Sequence, residues 1–272
     1  MPELPEVETI RRQMENNLVG RKITDVIVRF GKRLEPAQKK FIEAVRGEKF
    51  VGFSRRAKLL MLHLSNKLTI AAHLKMTGKF VLKPHGTEPE KHVHVIFVLD
   101  NGQDLWFHDV RKFGYLKIIS LEKVEELFKG DEFGPEPLDK KFSLDIFESC
   151  IKSRKNKKIK PLLMEPKCIA GIGNIYADEA LWHALVRPTR RAGSLKKPEL
   201  AKLYDGIIVS LTESLKHRGA SSENYRDLFD TEGESTNFLH AYNQEKCARC
   251  KGAIKRIVIG TRSAHYCPKC QK

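Results

Sequence analysis

The chain begins Met1-Pro2-Glu3-Leu4-Pro5-Glu6-Val7-Glu8-Thr9, and the reading of these residues decides how the rest of the sequence is understood. They carry no positively charged lead and no apolar run, so they are not expected to be a secretory signal. Pro2 is small enough for the initiator methionine to be removed, which leaves a proline with a free secondary amine. Such an amine has a reference pKa of roughly 8, far below that of lysine. A useful fraction of it is then an unprotonated nucleophile near neutrality, able to form an iminium with a sugar carbonyl carbon. Glu3 stands beside it as a candidate general acid, and Glu6 lies one helical turn further on. The same residues also suit an ordinary helix start, with proline in the first turn and acids at the positive end of the dipole. Taken alone, the stretch leaves both readings open.

Working outward, apolar Leu4, Val7, Ile10, Met14 and Leu18 fall on one stripe and Gly20 supplies a stop, which predicts a helix over 5–18. From 22 to 120 the pattern changes to short strands, expected at 23–30, 50–53, 59–64, 68–74, 79–82, 93–99, 105–108 and 115–119. One helix near 36–45 interrupts them. Turn signals such as Asp100-Asn101-Gly102 separate neighbours, so an antiparallel sandwich is expected. Gly134-Pro135-Glu136-Pro137 marks a linker. Beyond it the periodicity is helical, at 143–152, 159–165, 174–184 and 198–217, the last with Leu200, Leu203, Ile207, Leu211 and Leu215 on one face. The expected division is a β-sandwich domain at 1–132, a linker at 133–140, a helical domain at 141–240 and a cysteine-bearing hairpin module at 241–272.

The net charge of +16 in 272 residues points to a polyanionic partner, nucleic acid first and an acidic membrane surface second. With no run of membrane-spanning length, a cytoplasmic location is expected. Four of the six cysteines form Cys247-x2-Cys250 and Cys267-x2-Cys270, a spacing that suits one tetrahedral zinc ion at the ends of two short hairpins. Four thiolates close the site, so that ion is structural. Between Lys246 and the C-terminus stand eight Lys or Arg and no acid, as a phosphate-facing hairpin requires. Arg262 lies between the pairs, where a lone arginine reads as a phosphate contact. Cys150 and Cys168 are singletons, and Cys150 is expected as a buried thiol beside Ile146 and Phe147.

Lys152, Arg154, Lys155, Lys157, Lys158 and Lys160 crowd the approach to Pro161-Leu162-Leu163-Met164-Glu165 and then Gly171-Ile172-Gly173-Asn174-Ile175-Tyr176-Ala177-Asp178-Glu179. A solvated charge run is the ordinary reading of such a cluster. The glycines lack a third at dinucleotide spacing, so a tight turn feeding an N-capped helix, whose amides suit a phosphate, is the better reading.

The first nine residues, IKPLLME…GIGNIYADE and the paired cysteines, occurring in this order, resemble the formamidopyrimidine-DNA glycosylase family of helix–two-turn–helix proteins. Ser54-Arg55-Arg56-Ala57-Lys58, His73-Leu74-Lys75-Met76-Thr77-Gly78 and Asp109-Val110-Arg111-Lys112-Phe113-Gly114 are similar to further segments of that family. The resemblance implies an α+β multidomain protein: an N-terminal antiparallel β-sandwich with an N-terminal helix, then a helical helix–two-turn–helix domain and a four-cysteine zinc-finger hairpin. It implies a monomeric, nucleoid-associated bacterial enzyme acting on double-stranded DNA that carries oxidised bases or abasic sites. Oxidised purines would be excised through a Schiff base on the Pro2 amine, with Glu3 as acid. The strand would then be nicked by β,δ-elimination.

By the same resemblance Lys58 moves protons during elimination, Arg262 assists at the damaged nucleotide, and Glu6 belongs to the catalytic group. Met76, Arg111 and Phe113 fill the hole left by the extruded base. His92, Lys160 and Asn174 hold phosphates, with Lys155 or Lys157 replacing a basic contact where this chain has Asn156, and Tyr176 joins the DNA-binding set. By pattern alone Met76 and Phe113 suit a core and Lys58 an exposed strand. His92 and His94 also fall on one strand face, where a metal pair is conceivable but lacks a third ligand nearby. The stretch 219–242 corresponds to the lesion-reading loop and is the least similar part, Tyr242-Asn243 replacing the usual Tyr-Gly. Two alternatives stand. An endonuclease VIII-like enzyme for oxidised pyrimidines is disfavoured by Leu4, because that group usually starts MPEGPE. A non-catalytic zinc DNA-binding protein gives no reason for Pro2, Glu3 and Lys58 to occur together.

Overall fold

The computed structural model describes residues 1–221 and 225–272. The stretch expected to read the lesion therefore includes 222–224, which lie outside the described residues. The chain divides into two compact units, 1–130 with 218–234, and 131–217 with 235–272.

In the first unit the helical stripe does what its spacing demands. Val7, Ile10, Met14 and Leu18 are fully buried on helix α1 (Leu4–Leu18), against a core built from strand residues at spacing two. The strands are β1 (Ile23–Val28), β2 (Leu34–Glu35), β3 (Phe50–Arg56), β4 (Leu59–Leu64), β5 (Leu68–His73), β6 (Gly78–Pro84), β7 (Val93–Leu99), β8 (Gln103–Asp109) and β9 (Tyr115–Ser120), with α2 (Gln38–Val45) between β2 and β3. They form a four-stranded sheet, β1-β7-β8-β6, and a five-stranded sheet, β2-β9-β5-β4-β3. Leu60, Leu62 and Leu64 of β4, Ile70 and Ala72 of β5, and Val95, Phe97 and Leu99 of β7 face the shared core with Phe107 of β8.

Two expectations need correction here. The sandwich is not wholly antiparallel, because short β2 pairs with β9 in parallel, Leu34 opposite Leu116. A helix α3 (Leu121–Lys129) also follows β9 where no element was expected. Its signals are a Ser120 side chain that accepts the Lys123 N–H and two buried residues, Val124 and Leu127, in a run otherwise dominated by charge.

The second unit is helical: α4 (Leu144–Ser153), α5 (Ile159–Leu163), α6 (Asn174–His183) and α7 (Lys197–Lys216), followed by the hairpin β10 (Lys255–Ile259) and β11 (Arg262–Tyr266). Helix α6 is buried almost all round, from Ile175 to Trp182, so it is the centre of this unit. It packs on α7. Cys150 and Cys168 are not separate thiols: their Cα atoms lie 5.6 Å apart and their sulfurs are bonded, joining α4 to the segment before α6. Ile146, expected beside a buried Cys150, is exposed. Among the described residues, the β10–β11 hairpin lies between the two cysteine pairs. The first pair sits in a turn closed by the isolated Lys246–Ala253 bridge, and the second follows β11. No helix among the described residues is long and apolar enough to cross a membrane.

Candidate active site

The start of α1 is held by a reciprocal pair of hydrogen bonds. Glu3 occupies the N-cap, its side chain accepts from the backbone three residues on, and its own N–H donates to Glu6 Oε2 at 2.7 Å. Glu3 is 3% and Glu6 1% exposed. The other oxygen of Glu6 accepts the Ala220 N–H at 2.8 Å, so one carboxylate joins the chain start to a segment that returns from residue 218 onward. Gly219 is required at this junction: its φ is +85°, and a Cβ there would lie 2.9 Å from Glu6 Cγ. Burial, and then the neighbouring charges of Glu6 and Asp227, push the Tyr225 phenol well above its ordinary range.

Helix α1 lies along β3 in a fixed sense. Glu15 accepts the Phe53 N–H at 2.9 Å, while Glu8, nearer the helix start, pairs with Arg55 at 3.2 Å. The opening residues of α1 therefore lie toward the end of β3 where the chain turns at Ala57 and Lys58. Burial would raise the Glu8 carboxyl, but Arg11, Arg55 and Arg12 outweigh it and hold it below its ordinary range. Ala57 has φ +54°, a conformation costing roughly 1–2 kcal/mol for a residue with a Cβ. Arg55 offsets part of this by donating to the Ala57 carbonyl at 2.7 Å. Burial lowers the His73 imidazole to about 4, and the Lys75 and Lys58 ammonium groups press the same way. Its Nδ1 accepts the Lys75 N–H at 3.0 Å.

Met76, Arg111 and Phe113 come together. Arg111 Nη1 donates to Met76 Sδ at 2.8 Å, and its guanidinium lies 4.9 Å from the centre of the Phe113 ring. Phe113 is 45% exposed, which sets aside the core reading. What holds their two loops is Asp109, which is wholly buried. It accepts from the Thr77 hydroxyl, from Arg111 N–H at 3.2 Å and from Gly114 N–H at 2.7 Å. Gly78 closes the first loop, since a Cβ there would fall 2.4 Å from the Leu74 carbonyl. His92 is half-buried at the start of β7, its ring 5.8 Å from that of His108. His94 is instead buried against Phe30 and Phe107, so the two histidines do not act as a pair.

In the second unit Asn174 opens α6 and donates to the Ser263 hydroxyl at 3.3 Å, while its Oδ1 is buried with no partner among the described residues. Lys155, Asn156 and Lys157 are exposed, with Lys157 paired to Glu165, and Arg262 is exposed on β11. Lys160 and Tyr176 correct the expectation that they contact DNA through their side chains. Lys160 is 1% exposed, and its ammonium pairs with fully buried Asp178 at 2.7 Å and donates to the Ser263 carbonyl at 2.5 Å. Asp178 also accepts the His265 N–H at 2.9 Å. The pair is thus the seat of the β10–β11 hairpin. The Tyr176 hydroxyl bonds Ser214 at 2.5 Å inside the α6–α7 contact. Asp109 and Asp178 carry roles that residue type alone did not announce. The available signal for Asp178 was an Asp-Glu pair inside an otherwise apolar helix.

The four cysteines converge. Cys247 and Cys270 sulfurs lie 3.9 Å apart and Cys250 and Cys267 sulfurs 3.5 Å apart. A tetrahedron with Zn–S bonds of 2.3 Å has edges of about 3.8 Å, so these residues fit one structural zinc ion. The Trp182 indole N–H donates to Cys247 Sγ at 3.4 Å, tying the centre to α6.

Comparison with known proteins gives three consecutive matches. Residues 1–116 match the formamidopyrimidine-DNA glycosylase N-terminal domain, 133–226 the H2TH domain of the same family, and 244–272 a zinc finger found in FPG and IleRS. A formamidopyrimidine-DNA glycosylase of Herpetosiphon aurantiacus is 43% identical over 275 residues, covering all of both chains. Among solved structures, a point variant of the Lactococcus lactis FPG in complex with Fapy-dG-containing DNA matches with a TM-score of 0.93 at 35% identity over all of both chains. The same values describe a complex of Lactococcus lactis Fpg with DNA containing an abasic site.

Proposed function

The chain belongs to the formamidopyrimidine-DNA glycosylase family, and from that premise we propose how its residues divide the repair of oxidised DNA. The enzyme is a DNA glycosylase of base excision repair that removes oxidised purines, and an AP lyase that cuts the strand at the resulting site. Its partner is duplex DNA, met in the cytoplasm by a basic protein.

The nucleophile is the Pro2 amine, released when Met1 is removed. Attack on C1′ of the damaged nucleotide breaks the glycosidic bond, and the base departs with a proton. Glu3 protonates the sugar ring oxygen and opens the ring, leaving a Schiff base between Pro2 and C1′. The iminium withdraws electrons, so loss of a C2′ proton expels the 3′ phosphate, and a second elimination expels the 5′ phosphate. Lys58 transfers protons in these steps and Arg262 assists at the damaged nucleotide. Extruding the base costs roughly a few kcal/mol, offset in part when Met76, Arg111 and Phe113 enter the vacated stack. Asn174, His92 and Lys155 hold phosphates. The zinc ion supplies no chemistry to the reaction; its four thiolates stiffen the segment that carries Arg262.

The observation that supports this reading is the Glu3–Glu6 capping pair, which fixes the backbone that directly follows Pro2 and buries both carboxylates. Retaining Met1 converts the amine to an amide while sparing the fold. That protein should still bind lesion DNA but neither cleave it nor be trapped on it by borohydride. Glu3→Gln should lose excision yet keep some nicking at a preformed abasic site. Normal trapping by protein verified by mass to retain Met1 would move the nucleophile to a lysine, Lys58 first.

A further inference from the structure

We propose that Glu179, His183 and His240 form a second metal site, for a borderline divalent cation such as Zn2+, separate from the four-cysteine centre. Glu179 and His183 are four residues apart and so share one face of α6. His240 reaches that face from the segment leading into the cysteine module, and one ligand atom from each of the three residues lies within 4.8 Å of the others.

The spacing of one pair already matches coordination. His240 Nδ1 is 3.3 Å from Glu179 Oε2. A tetrahedral ion with Zn–N and Zn–O bonds of 2.0–2.1 Å needs donor separations of about 3.3–3.4 Å. The ion would replace the contact between these two atoms.

Glu179 is oriented as a ligand should be. It is 2% exposed, and its Oε1 accepts the N–H groups of Ala241 and Tyr242 at 2.9 and 2.8 Å. Its Oε2 accepts the His240 N–H at 2.8 Å. A carboxylate has about four acceptor positions, so the remaining one on Oε2 points toward His240 Nδ1. These bonds would also serve a purely structural carboxylate, and His240 stacks on Trp182 at 4.3 Å, as an inert ring would. His183 is what neither role explains. It brings a second imidazole, its ring 5.2 Å from that of His240, to a carboxylate already held by backbone.

The three residues border a cavity of about 490 Å³, leaving room for a water as a fourth donor. Two imidazoles and one carboxylate select zinc, cobalt or nickel over magnesium or calcium. The Arg249 guanidinium, 3.6 Å over the Trp182 ring, opposes a second cation nearby and makes this site weaker than the thiolate centre. When filled, the site clamps residues 240–242 onto α6.

The test adds Co2+ to protein whose four-cysteine centre already holds zinc. One further equivalent should bind with weak visible d–d bands and no thiolate-to-metal charge transfer in the near ultraviolet. His183→Ala should abolish it. His240→Phe, which keeps a ring on Trp182 but removes the ligand, should abolish it too, with the resident zinc retained in both. Three results overturn the proposal: no second equivalent in the unaltered protein, binding that survives both substitutions, or bands showing thiolate ligation.

Discussion

Lys160→Met tests whether this lysine holds the hairpin in place or grips DNA. Its ammonium and the Asp178 carboxylate are 1% and 0% exposed and 2.7 Å apart. Removing the ammonium leaves a carboxylate charge in a low-dielectric interior, a change that costs about 3–5 kcal/mol when one partner of a buried pair is deleted. Methionine nearly preserves volume, so the cavity contribution is small. Asp178 keeps its bond from the His265 N–H, which places the expected loss near the low end, about 3 kcal/mol. Urea unfolding of the whole chain measures it. Lys160→Met/Asp178→Leu removes both charges and should be more stable than Lys160→Met alone. DNA affinity falls in the single variant because the hairpin loses its seat. Any change in the slope of log K against log[salt] should therefore appear only together with the loss of stability, because the Lys160 ammonium itself meets no phosphate. A slope shallower by about 0.9 with stability intact would show that the ammonium meets a phosphate, and would refute the reasoning.

Glu6→Ala removes the acceptor for both Glu3 N–H and Ala220 N–H. It should cost about 1–2 kcal/mol by thermal unfolding and slow single-turnover excision, and an unchanged excision rate would separate Glu6 from the site. Cys250→Ser, or removal of the zinc, should abolish DNA binding and cleavage together while the sandwich unit stays folded by circular dichroism; near-normal cleavage by protein verified as zinc-free would contradict this. His73 has a folded pKa of about 4 against an ordinary 6.5, so unfolding takes up a proton between those values. Its contribution to stability is full above pH 6.5 and falls on acidification by up to about 1.4 kcal/mol per pH unit. The loss is complete below about pH 4, and urea midpoints of His73→Gln across this range should lack that component.

Much of this protein is legible in its amino-acid sequence. Helix α1 and its buried stripe, the β4 and β5 strands and the long α7 follow from periodicity, because the 3.6- and two-residue repeats decide locally which side chains can share a face. The zinc centre follows from the spacing of Cys247, Cys250, Cys267 and Cys270, since each pair is short enough to chelate as a unit. Helix α3 escaped because its two apolar contacts were too few to outweigh its charges. What only the tertiary structure decided are the contacts between residues remote in the chain. The basic run before Pro161 reads as uniformly exposed, yet Lys160 alone turns inward, because Asp178 and a hairpin 103 residues away close over it. Cys150 and Cys168 look independent until α4 packs. Met76 and Phe113 suit a core by composition, and buried Asp109, holding both of their loops, is what keeps them outside. Glu6 meets Ala220 across 214 residues. No local pattern encodes such a meeting, because it depends on where an entire domain returns the chain.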